Sequence, residues 1–399
     1  MRTFPVLLLV LFLLIYLALS FGAYNGLVKI AGKKNRKTVS WIYWASTFIL
    51  FSTFLFLYVY PFQPSQATNY TVYFYFNFVL LTDFVFKTPL TVSLMLHYAL
   101  YMKERNLLLY SGLILSTGFS MLLIYGVLFG GQNVRMKKYE LEFQNLPESF
   151  NGYRIIQISD IHLGSFFSSS RIIKTASKKI RGVNPDLLIF TGDLVNNFSS
   201  EIYGRENYFN TMTESTPSFS ILGNHDYGDY TKWEDPENKK DNFNEILEAQ
   251  KKMGFKLLLN EHVVLKSGSD SIFLAGVENW GHPPFSLYAD LKKAMQNIPE
   301  DAFTMLLTHD PAHWNTIIKN RKDIDLSFSG HTHGLQWGIK PAGIPFSLVY
   351  QIRENWSGLY QSKYSKLIVS TGLGLVGVPW RIDMPPEINL IILKRGKID

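Results

Sequence analysis

The chain has 399 residues, of which 47% are hydrophobic, 15% aromatic and only 18% charged, with a formal net charge of +7. Such a length allows two or three domains, and the aromatic content excludes disorder as the main theme. With no cysteine, a disulfide framework, a thiol nucleophile and any Cys-ligated metal are excluded.

The averages mix two unlike parts. Residues 1–130 carry nine Lys and Arg against two acidic residues, Asp83 and Glu104, which accounts for the whole +7. The remaining 269 residues hold 30 of each sign. The basic excess therefore sits beside apolar runs. It speaks for membrane topology and not for nucleic acid, because the neutral part has no surplus to neutralise a phosphate backbone.

Four apolar runs are predicted as spans: residues 4–23, 41–62, 71–101 and 107–129. Each is long enough for a hydrocarbon core of about 30 Å at about 1.5 Å per residue. The third is interrupted by Asp83, Lys87 and Pro89, which predicts a kinked or tilted helix. Asp83 and Lys87 are one turn apart and read as a self-neutralising pair. Lys29, Lys33, Lys34, Arg36 and Lys37 follow the first run, and Lys103 and Arg105 follow the third. Basic loops favour the cytoplasm. Four spans then place everything after residue 130 on the outer side, although Arg135, Lys137 and Lys138 run against that assignment.

After Gly131 the texture changes. Short apolar runs at 153–159, 187–191, 219–222, 271–276, 303–308, 326–329 and 367–370 predict strands. Helical patterns at 170–181, 244–253, 287–296 and 312–319 lie between several of them. Strands alternating with helices indicate an α/β fold, where ligand residues collect at the carboxyl ends of strands.

Five of these strands end directly in side chains that can bind metal. They lead into Asp160-Ile161-His162, Gly192-Asp193, Gly223-Asn224-His225-Asp226, His309-Asp310 and Gly330-His331-Thr332-His333-Gly334. Any one alone reads as a turn, a cap or a hydrogen-bonded histidine. Together they have the chemistry of a two-metal centre. Mixed carboxylate and imidazole donors suit Mn²⁺, Fe or Zn²⁺ better than Mg²⁺ or Ca²⁺. Two ions about 3.5–4 Å apart need a bridging ligand, which an aspartate can supply. Asp-x-His sends two donors to one ion, and the imidazoles of His-x-His can serve different ions.

These motifs resemble those of the calcineurin-like metallophosphoesterases, from Tyr153 to the C-terminus. Ile158–Gly164, Thr371-Gly372-Leu373-Gly374, Arg381 and Pro385-Pro386-Glu387-Ile388 look like the membrane-anchored bacterial branch. Leu335 departs from the glycine common there. The resemblance implies a two-layered β-sandwich flanked by α-helices. The domain reading is thus a four-helix transmembrane domain (1–130), a juxtamembrane linker with a first strand (131–152) and a catalytic domain (153–399). The same resemblance implies that Asp160, His162 and His333 hold one ion and that Asn224, His309 and His331 hold the other, with Asp193 between them. It makes His225 the phosphoryl contact or acid, oriented by Asp226. The implied reaction is hydrolysis of a phosphate ester, phosphodiester or pyrophosphate by a metal-bridging hydroxide.

A membrane anchor, with Trp337, Ile344, Phe346, Leu348, Val349, Tyr350 and Trp356 near the last motif, points to a lipid or lipid-linked substrate at the bilayer. The rival readings are a UDP-diacylglucosamine-type pyrophosphatase and a non-catalytic membrane receptor for metal and phosphate.

Overall fold

The computed structural model describes residues 6–58, 67–100, 106–166, 170–281, 286–338 and 354–396. It divides into two compact units, residues 2–127 and 128–399.

The first unit consists of α1 (Val6–Tyr58), α2 (Ala67–Ala99) and α3 (Leu107–Tyr125). The expectation of four separate helices is corrected here. Among the described residues three helices are long and apolar enough to cross a membrane: Leu7–Tyr58, Thr71–Ala99 and Leu107–Gly130. The first two predicted runs belong to one helical element because the basic stretch between them is itself helical. Gly32 interrupts it with φ 67° and ψ −177°, a conformation that only glycine adopts readily. The two halves fold back on each other there. Tyr43 donates from its hydroxyl to the Ser20 carbonyl at 2.6 Å, Tyr24 meets Ser40 at 2.9 Å, and Phe12 packs on Phe54 at 5.3 Å. These pairs are symmetrical about residue 32. Outside, Trp41, Phe48 and Ile114 are each at least 70% exposed, an apolar exterior that suits lipid and not water.

Asp83 and Lys87 do pair, at 2.6 Å, but inside the bundle: the Lys87 side chain is 1% exposed. The Tyr16 hydroxyl donates to Asp83 at 2.8 Å, and Lys87 donates to Tyr16 and Thr47 at 3.0 and 3.3 Å. Removing one partner of a buried pair leaves the other charge uncompensated. Asp83→Ala is expected to destabilise the unit by about 3 kcal/mol, and Asp83→Ala with Lys87→Met to recover most of it. Thermal unfolding in detergent checks this; a double variant no better than the single one would contradict it.

The second unit is a sandwich of two six-stranded mixed sheets. One contains β1 (Arg135–Phe143), β2 (Arg154–Ile158), β3 (Leu187–Phe190), β4 (Ser218–Ser220), β5 (Lys256–Leu257) and β12 (Glu387–Arg395). The other contains β6 (Glu261–Ser267), β7 (Asp270–Gly276), β8 (Thr304–Leu307), β9 (Leu326–Ser329), β10 (Gly358–Gln361) and β11 (Lys366–Val369). Their orders are β1-β12-β2-β3-β4-β5 and β10-β11-β9-β8-β7-β6. The central strands β2, β3 and β4 run parallel, as do β7, β8, β9 and β11. All four residues of β3, β8 and β9 are buried; β3 accordingly reads as an unbroken apolar run, whereas β9 alternates Leu326 and Phe328 with buried serines.

Leu141, Ile155, Ile189 and Ile391 of one sheet and Leu274, Met305, Phe328 and Ile368 of the other share one buried core. On the other face of the second sheet, Leu306, Leu367 and Val369 pack with Ala294, Trp314 and Ile318. Those three come from α7 (Leu291–Ala294), α8 (Pro311–Thr316) and the short turn after α8. The remaining helices are α4 (Ser170–Val183), α5 (Asn207–Thr213) and α6 (Pro236–Lys252). The helix predicted over 287–296 shrinks to α7. Asp290 caps its start by accepting from the Lys293 N–H, and Asn297 lies just beyond it at φ 67°.

Candidate metal centre

The parallel strands aim their carboxyl ends at one place. β2, β3 and β4 deliver Asp160, His162, Asp193, Asn224, His225 and Asp226, and β8 and β9 deliver His309, His331 and His333. Both sheets therefore contribute, and the cluster lies where their strand ends meet. Asp160, His162, Asp193, Asn224, His309 and His333 are buried, whereas His225 and His331 are partly exposed. Those two mark the open side.

The donor atoms fall into two sets that share Asp193. In the first, Asp160 Oδ1 lies 3.4 Å from His333 Nε2, and His162 Nε2 lies 3.0 Å from His333 Nε2. In the second, Asn224 Oδ1 lies 3.0 Å from His309 Nε2 and 2.8 Å from His331 Nδ1. Asp193 Oδ2 is 3.5 Å from His162 Nε2 and 3.2 Å from His309 Nε2. Donors that each sit about 2.1 Å from one ion are themselves about 3 Å apart. The Asp160, His162 and His333 trio and the Asp193, His309 and His331 trio can each hold an ion, and so can His162, Asp193 and His225. Asp160 Oδ2 is buried with no hydrogen-bond partner among the described residues, as expected of a donor kept for a cation. All seven sequence-predicted ligands thus come together.

The backbone is bent to achieve this. Asp160, His162, Asp193, His331 and His333 all have φ between 48° and 72°, a left-handed region that costs about 1–3 kcal/mol for a non-glycine residue. Glycine makes room beside them. A Cβ on Gly330 would lie 2.2 Å from Asp160 Oδ2, and one on Gly223 2.1 Å from Asp193 Oδ1.

Charge follows burial. Burial pushes Asp160 and Asp226 up to about 7 and pulls His162 down to about 3. Burial also holds His333 well below its ordinary value. Burial opposes ionisation of Asp193 and His309 as well, but their mutual attraction overrides it. Asp193 stays well below the carboxylate range, and His309 rises to about 10.

One predicted role is corrected. Asp226 does not orient the His225 ring. Its carboxylate accepts backbone N–H groups from Asp193, Leu194, Val195 and Gly223, at 2.8 to 3.3 Å. It welds two strand-end loops together. The His225 ring is held by its Nδ1, 2.8 Å from the Asn196 carbonyl oxygen. The His225 backbone N–H donates to Asp193 Oδ1 at 2.9 Å, which leaves Oδ2 facing both donor sets.

Sequence reasoning missed the residues that act through the backbone. Glu201 is buried and accepts N–H groups from Gly164, Asn196, Asn197 and Phe198 at 2.7 to 2.9 Å. It fixes the loop that carries the Asn196 carbonyl. Arg381 is fully buried and donates to carbonyls of Thr371, Gly372 and Met384 at 2.9 to 3.0 Å. The loop it braces donates from Gly374 N–H to the Asp160 carbonyl at 2.7 Å. Asp310 Oδ2 stands 3.6 Å from the outer nitrogen of His331. No motif signals Glu201, whereas Arg381 belongs to the sequence resemblance but carries no role in it.

A sandwich with Asp, Asn and His donors at five strand ends is the arrangement that the comparisons with known proteins can be set against. Residues 153–335 match the family model "Calcineurin-like phosphoesterase". The chain is 29% identical over 288 residues to the zebrafish (Danio rerio) "Transmembrane protein with metallophosphoesterase domain", covering 69% of this chain and 61% of that protein. An "Uncharacterized metallophosphoesterase" of Aquifex aeolicus is 26% identical over 65% of this chain and 92% of its own. "UDP-2,3-diacylglucosamine pyrophosphatase LpxG" of Chlamydia trachomatis is 29% identical over 62% of this chain and 86% of its own.

Of the apolar group near the last motif, residues 344–350 lie outside the described residues. Trp356 is buried against Met384, so it is core and not a membrane contact.

Proposed function

We propose that this protein is a membrane-anchored, two-metal phosphoesterase that hydrolyses a phosphate ester, phosphodiester or pyrophosphate of a lipid or lipid-linked substrate. The observation that carries the reading is the placing of Asp193 Oδ2 between two donor sets, with His225 on the open side. Asp160, His162 and His333 hold one ion; Asn224, His309 and His331 hold the other; Asp193 serves both. Two divalent ions, when bound, activate water near neutral pH and offset charge on the phosphoryl oxygens. His225, with Nδ1 engaged by the Asn196 carbonyl, turns Nε2 to the substrate, where it contacts a phosphoryl oxygen or protonates the leaving oxygen. Asp226 keeps the Asp193 and His225 loops in register.

Three long apolar helices support the anchor, and the anchor supports a lipid substrate. The basic residues around the apolar runs support an outward-facing domain. Turnover with Mn²⁺ against lipid phosphates, soluble diesters and pyrophosphates tests the substrate class. The proposal expects the lipid-linked substrates to be cleaved fastest, and exclusive cleavage of soluble esters would overturn the lipid part. The second reading, a UDP-diacylglucosamine-type pyrophosphatase, is favoured by the Chlamydia relative and expects a cytoplasmic site. Protease protection of residues 131–399 separates the two. A non-catalytic receptor has no need of His225 on the open side of a full donor set.

A further inference from the structure

Asn224 differs from the other donors of the cluster in one respect. Its amide has two ends of nearly the same shape, and only the oxygen end can bind a metal. Packing cannot choose between them, so a hydrogen-bonding partner must. The Nδ2 end donates to the Tyr230 hydroxyl at 2.6 Å. The Oδ1 end then faces His309 Nε2 and His331 Nδ1 at 3.0 and 2.8 Å.

Tyr230 is itself held in place. The turn Asn224–Tyr227 closes at Gly228, whose φ is 68°, and this brings the chain back over the site. The Tyr230 N–H donates to Asn197 Oδ1 at 3.2 Å. Its ring lies flat on the His225 ring, with centroids 4.2 Å apart and planes 12° from parallel. One side chain therefore touches both the Asn224 amide and the His225 imidazole.

We propose that Tyr230 is a positioning residue that fixes the Asn224 amide with its oxygen toward the second metal. The inference rests on the reading of Asn224 as a ligand. It makes a specific claim about chemistry: the Tyr230 hydroxyl matters because an amide has a wrong end. A carboxylate has none, since either oxygen can ligate.

The test is a double-mutant cycle on the full-length protein in detergent, read as Mn²⁺ affinity and stoichiometry by calorimetry and elemental analysis. Tyr230→Phe keeps the ring on His225 and removes only the hydroxyl. It is expected to weaken the second Mn²⁺ about tenfold or more, the usual effect of losing a group that orients a ligand. In an Asn224→Asp background the same substitution is expected to leave Mn²⁺ affinity unchanged. Equal losses in the two backgrounds, or no loss in the native one, would overturn the inference. Asn224→Ala separates the two layers. If it still binds two ions, the ligand reading falls and the inference with it. If it loses one ion while Tyr230→Phe loses no affinity, the inference alone falls.

Discussion

Asp193→Ala is expected to empty the centre of both ions and to lower turnover of an aryl phosphodiester by at least about 10³-fold. Asp193 Oδ2 is the atom the two donor sets have in common, 3.5 Å from His162 and 3.2 Å from His309. Its loss removes a ligand from each ion at once. Asp193 is also buried, so solvent compensates poorly for the charge that is removed. A third effect reaches the backbone, because Asp193 Oδ1 accepts the His225 N–H. Metal content and initial rates at saturating Mn²⁺ check the expectation. Two bound ions or wild-type-like rates in the variant would sink the assignment of Asp193.

His225→Ala is expected to behave differently. It is partly exposed and stands at the open side, so the variant should keep both ions. Turnover should fall by about 10²–10⁴-fold, the range for loss of a positioned proton donor. The loss should be larger for an alkyl leaving group, which needs a proton, than for p-nitrophenolate, which needs none. Equal losses on the two substrates would reassign His225 from proton donor to phosphoryl contact. Loss of an ion would instead make it a ligand, a role its place beside His162 and Asp193 permits.

The sequence made the donors legible because each follows a short β-rich run and an abrupt change to polar or glycine-rich residues. β3 reads Leu-Leu-Ile-Phe and is buried throughout; the change to Gly192-Asp193 is abrupt. Edge strands gave no such signal. β1 is exposed or half-buried over Arg135–Glu140 and buried only at Leu141 and Phe143, so the sequence predicts a first strand within 131–152 but not its place beside β12. β5 is two residues long, below any pattern. The helical hairpin at Gly32 was hidden because basic residues usually mark a loop, whereas Lys and Arg are also good helix formers. The role of Asp226 was misread for a different reason. The resemblance implied that it orients His225, but its carboxylate reaches across to the loop of a neighbouring strand. Glu201 and Tyr230 were invisible because they act on backbone and amide groups that any residue can carry.

The strand order also sets a timetable. Among the twelve strands of the described residues β12 comes last in the chain, yet it lies between β1 and β2. Its Asn389 amide donates to Gln157 on β2 at 3.1 Å. The first sheet therefore cannot close until residue 395 has been synthesised. The donor set waits almost as long, since its members run from Asp160 to His333. The apolar unit of residues 2–127 precedes all of them. Chains grow from the N-terminus at about 5–20 residues per second, so the apolar helices are made many seconds before a full donor set exists. A chain interrupted in synthesis before His333 has all its apolar helices and no complete centre, and ion binding then stabilises only the finished fold.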